Sequence, residues 1–173
     1  MSHPLEEKIQ SVKNTEEAFS RNITCKVYGA PEGVMSVSRF VDRFHDISLT
    51  MLIDPRTSCI KDADAVMDRV PYNICFKTRG LIKNLLGLSI FHRAVRREAL
   101  KRIPRREGCT HLFELVEFTL AALFSGAPLA GLHGVKSPRD IEDEDPEEHR
   151  QRQLHNPWLK NTCRAFVIEE NDE

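Results

Sequence analysis

Hydrophobic and polar positions alternate most strictly between His45 and Asp54, where Ile47, Leu49, Met51 and Ile53 interleave with Asp46, Ser48, Thr50 and Leu52. Period two is the mark of a strand with one face buried. The neighbouring segments extend this reading. Ile23 to Tyr28 reads as a strand closed by the turn Gly29-Ala30-Pro31-Glu32-Gly33, and Val34 to Phe44 reads as a second strand. Asp54 to Ser58 forms a turn, and Cys59 to Met67 supplies a partner strand. Short turns between successive strands predict an antiparallel meander of three to four strands.

After Pro71 the period lengthens. Ile74 to Leu86 carries Ile74, Leu81, Ile82, Leu85 and Leu86 and stops at Gly87, a common helix-ending residue. Phe91, Val95 and Ala99, four apart, predict a second helix ended by Pro104. Gly108-Cys109-Thr110 opens a third, with Leu112, Leu115, Val116, Thr119, Leu120 and Leu123 on its buried face. Strands first and helices second predict an α+β domain with about three helices on one face of the sheet. Residues 1–20 read as a polar arm, 21–125 as the domain, and 126–173 as an acidic linker and a tail that docks back.

Charge sharpens this division. The chain of 173 residues carries 25 Lys and Arg against 26 Asp and Glu, which excludes a globally basic nucleic-acid binder. The balance hides two opposed runs. Residues 93–106 hold seven basic side chains, and Asp140 to Glu148 hold seven acidic ones. The basic run offers a surface for an acidic partner, self-association or nucleic acid, the last being the weakest of these readings. The apolar stretch Leu112 to Leu132 is interrupted by Glu114, Glu117, Gly126, Pro128 and Gly131 and reads as a core helix rather than a membrane span.

Five cysteines without a signal-peptide pattern argue for reduced thiols in a cytoplasm. Cys25 and Cys59 read as structural. Cys75 lies at the sheet-to-helix junction, Cys109 and His111 at the start of the last helix, and His45-Asp46 at the start of the strongest strand. Thiolate and imidazole at element ends suit zinc, iron or an iron–sulfur cluster. The expected ligands are Cys75, Cys109 and His111, completed by His45 or Asp46, with Cys163 as a further candidate from the tail. Cys109 and His111 share an ion only if Cys109 precedes the helix, because positions two apart on a helix diverge by about 200°. The alternative is an enzyme with Cys109 as nucleophile and His111 or His45 as base, although no Gly-rich oxyanion or phosphate loop accompanies them.

Gly108-Cys109-Thr110-His111-Leu112, with Leu86-Gly87-Leu88-Ser89-Ile90, His45-Asp46, Pro71 to Cys75 and Asn161-Thr162-Cys163-Arg164-Ala165, resembles a bacterial family defined only as a domain of unknown function. The resemblance spans roughly residues 20 to 168 and implies no activity. More distantly, the order of elements is similar to the NifU/IscU-type iron–sulfur scaffold, which implies a cluster-binding rim. His45-Asp46, Cys75 and Cys109 with His111 stand at that scaffold's three ligand positions. The scaffold's first cysteine is absent here, and His45 stands where it would be.

Overall fold

The computed structural model describes residues 4–13, 15–104, 106–132, 145–154, 159 and 166–167. Cys163 and residues 140–144 of the acidic run lie outside them. Four strands, β1 (Arg21–Ala30), β2 (Gly33–Asp42), β3 (Asp46–Ile53) and β4 (Ile60–Arg69), form one antiparallel sheet in the order β1-β2-β3-β4. The meander is the expected one, and its register follows the hydrophobic alternation. Phe40 pairs with Ile47, and Ile47 with Met67, all on the buried face. A one-residue slip would turn every such side chain to solvent.

The β1–β2 hairpin closes through Gly33, whose φ of +142° disfavours any residue with a side chain. A Cβ there would also strike the Ile53 carbonyl oxygen. In the β3–β4 turn, Asp54 Oδ1 accepts the backbone N–H groups of Arg56 and Thr57.

Among the described residues four segments are α-helical: α1 (Pro4–Val12), α2 (Val95–Arg102), α3 (Thr110–Leu129) and α4 (Pro146–Leu154). α3 lies over β1, β2 and β3, while α2 packs on α3. Gly126 lets α3 approach β1, since a Cβ there would stand 3.0 Å from Val27. By length and composition α3 could cross a membrane, but Leu112, Leu115, Val116, Leu120 and Leu123 are buried in the domain core. The helix also continues past the expected domain end at residue 125, through Gly126 and Pro128.

The segment predicted as the first helix is a 3₁₀ helix, Asn73–Leu85, packed on β4. Its two buried residues, Ile82 and Leu85, are three apart. With three residues per turn, that spacing keeps both on one face. The chain beyond it runs back along the start of β4, where Ile90 N–H donates to the Ser58 carbonyl and Ile60 N–H to that of Leu88.

The core lies between the sheet and these helices, with Phe40, Leu49, Met51, Ile90 and Leu112 fully buried. Leu49→Ala should therefore destabilise the protein by about 2–5 kcal/mol, read as a lowered urea midpoint with unchanged slope. Thr50→Ala, on the opposite face of the same strand, should change it by far less.

Candidate metal centre

Four element ends meet at one corner of the sheet: the start of β1, the end of β2, the start of β3 and the start of α3. The β2–β3 turn, Asp42-Arg43-Phe44-His45, is built around the Asp42 side chain. Its Oδ1 accepts the Phe44 N–H at 2.9 Å and the His45 N–H at 2.8 Å. From the end of β4, Arg69 Nη2 donates to the Asp42 and His45 carbonyl oxygens at 2.7 and 3.2 Å. The turn is thus held by a side chain within it and another across the sheet.

Asp42 Oδ1 also lies 2.9 Å from His45 Nδ1, with both side chains at least nine-tenths buried. Burial alone would raise the carboxyl pKa. The hydrogen bonds from His45, Phe44 and Arg21 outweigh it and hold Asp42 at about 2. An ionised carboxylate only accepts, so Nδ1 of His45 is the donor in this contact and Nε2 is the ring nitrogen left for any ligand.

His111 stacks on His45, with ring centroids 3.8 Å apart and planes inclined at 37°. Phe40 meets both imidazoles edge-on at 5.9 and 5.5 Å. Arg21 caps the group. It bonds Asp42 at 3.2 Å and Glu114 of α3 at 3.2 Å, and its guanidinium lies 4.7 Å from the Phe40 ring centroid. Burial, then His45 and Arg21, push the His111 pKa down, favouring the neutral imidazole. Neutral imidazole is the form that ligates a metal.

The donor atoms of Asp42, His45 and His111 lie within 4.8 Å of one another, the one such group of three among the described residues. It opens on a cleft of about 730 Å³ whose lining includes Arg21, Cys75, Cys109, Phe44 and Tyr72. Four of the predicted site residues, His45, Cys75, Cys109 and His111, therefore face one cleft. Cys109 caps α3 with extended backbone angles (φ −112°, ψ 122°), so it precedes the helix, as a shared site with His111 requires. Thr110 is the first helical residue.

Neither cysteine joins the close donor group, which is nitrogen and oxygen throughout. Asp46 turns to the other face of the sheet, where Arg39 holds it through two bonds of 2.8 and 2.6 Å. Asp42, four residues earlier, supplies the carboxylate instead. Sequence reading missed it by running the second strand on to Phe44. The available signal was Asp42 three residues before His45, an Asx-turn spacing between two strands. Arg21, Arg69 and Phe40 carried no local signal.

Both titrations act in the same direction on stability. Asp42 is held below the ordinary carboxylate value of 3.8, so its contribution is present above 3.8 and is lost as pH falls through about 2. His111 is held below the ordinary value of 6.5, so the unfolded chain takes up its proton first as pH falls through 6.5. The urea midpoint of chelator-treated protein should therefore drop in two stages on acidification. His111→Gln should remove the upper stage and Asp42→Asn the lower.

No curated protein and no solved structure matches the chain. Residues 38–124 match the profile of a protein family of unknown function, DUF2889, a span running from mid-β2 to within α3 and containing Asp42, His45, Cys75, Cys109 and His111. The chain belongs to that family.

Proposed function

We propose that the protein is a metal-dependent enzyme whose site is a single transition-metal ion bound by His45 and His111 at the floor of the cleft. The carrying observation is the convergence of the Asp42, His45 and His111 donor atoms within 4.8 Å. Asp42 acts through His45 in this reading. Its Oδ1 already accepts three N–H groups, and a carboxylate on the far nitrogen of a ligating histidine fixes the tautomer and raises ligand basicity. Imidazole ligands suit zinc or ferrous iron.

A structural metal is normally closed by four protein ligands, whereas a catalytic one keeps a position open. Two protein nitrogens beside an accessible cleft support the catalytic kind. A cluster-carrying role of the NifU/IscU sort would need thiolates, and Cys75 and Cys109 line the cleft without joining the close donor group. A second reading rests on the 2.9 Å Asp42–His45 contact. That dyad, without a metal, would make His45 Nε2 a general base.

Anaerobic calorimetry separates the two. Wild-type protein should bind one equivalent of Zn²⁺ or Fe²⁺. His45→Ala and His111→Ala should each abolish tight binding, and Asp42→Asn should weaken it by about 10–100-fold. Cobalt-loaded protein should lack thiolate charge-transfer absorption, and Cys75→Ser and Cys109→Ser should keep the stoichiometry. No uptake of either ion by the wild type would eliminate the metal site and leave the dyad.

A further inference from the structure

We infer that, with or without a metal in the cleft, the outer face of the sheet is a dimerisation surface. A second copy of the chain packs on it face to face, with β1 of each protomer over β4 of the other. α3 covers the inner face, and the alternation that buries Phe40, Leu49 and Met51 there turns every second residue the other way. Among the described residues this outer face is open: Thr24, Lys26, Val37, Arg39, Asp64 and Val66 are all exposed on it.

The outward face of an antiparallel sheet that meets only water is ordinarily polar. This one carries apolar side chains on three strands. Val37 and Val66 are exposed, and Met35 and Leu52, which pair across β2 and β3, are only half-buried. The face is also large enough. Ten-residue strands about 34 Å long and four strands spanning about 19 Å give it a footprint on the order of 650 Å², near the roughly 800 Å² per partner of a standard interface.

Charge selects a second copy as the occupant. The register sets Lys26, Val37, Thr50 and Asp64 in one row across the sheet, midway along the strands. The row is basic at β1 and acidic at β4. Arg39 and Asp46 hold each other on this face, and Lys83 holds Asp62. Lys26 and Asp64 have no ion pair among the described residues. Two aligned sheets can close into a dimer about an axis along the strands or across them. The first axis lays β1 over β4 at the same level, so Lys26 meets Asp64 of the partner subunit, and the pair occurs twice. The same rotation sets Met35 against Leu52 of the partner subunit, an apolar contact beside the axis. The second axis would lay β4 on β4 and press like charges together, which is unfavourable. The face is thus complementary to itself in one orientation.

Sedimentation equilibrium of the full chain across the micromolar range should show a dimer. Val37→Asp leaves the buried face untouched and enters the interface twice by symmetry. It should raise the dissociation constant at least about 100-fold. Lys26→Asp and Asp64→Lys should each raise it at least about tenfold, and the two together should return it to near the wild-type value. Far-UV circular dichroism should be unchanged in every variant, and the charge variants carry the test if Val37→Asp does not fold. A wild-type chain that sediments as a monomer overturns the inference, as does a dimer as tight in Val37→Asp as in the wild type. Failure of the reciprocal charge exchange to restore affinity overturns the pairing of β1 with β4. The competing cover is the chain's own α1, on which Ile9 and Val12 are exposed. In that case the wild type is a monomer and Ile9→Asp makes it dimerise, a result that also overturns the inference.

Discussion

The Asp42 carboxylate is the contact on which the corner of this molecule depends. A buried carboxylate without partners would be protonated or expelled, because desolvation penalises the charge heavily. Asp42 remains ionised because Phe44 N–H, His45 N–H, His45 Nδ1 and Arg21 all donate to it. Those donors belong to the β2–β3 turn and to the start of β1, and Arg21 reaches onward to Glu114 on α3. One charge therefore fixes the turn, orients an imidazole and ties the sheet to the helix above it. Removing it would leave several donors buried with nothing to accept them, a heavier penalty than the loss of any single bond.

This arrangement would reconcile stability with the proposed ligation. Were Asp42 itself the metal ligand, an incoming ion would compete with the bonds that hold the turn. Because Asp42 binds the Nδ1 side of His45, the opposite nitrogen is free without disturbing the network. The His111 ring is stacked at 3.8 Å but tilted by 37°. Burial, then His45 and Arg21, hold the His111 pKa below its ordinary value, so acid acts against the fold and would act against a bound ion.

Much of the fold was legible because hydrophobic alternation is a direct record of burial. The strict period across Ile47, Leu49, Met51 and Ile53 identified both the strand and its inward face, and the α3 core positions followed from a helical stripe. The 3₁₀ segment was less legible: Ile82 and Leu85 fit either a 3.0- or a 3.6-residue period over so short a run. The candidate site was legible in half. His45 and His111 drew notice as chemically able residues at element ends, and Cys75 and Cys109 do face the same cleft. Asp42 and Arg21 escaped because their roles arise from register. Arg21 lies opposite Asp42 only once β1 pairs with β2, and the two residues are 21 apart in the chain.

The same register explains why the cleft sits where it does. An antiparallel meander places the β2–β3 turn and the free ends of β1 and β4 on one edge, and α3 begins above that edge. Apolar side chains that cannot reach the core, such as Phe19, Phe44 and Tyr72, are left around the opening. Arg21 is neutralised by Asp42 and Glu114, so the lining has no large charge of its own. An ion at the two histidines would then set the sign of the whole cleft.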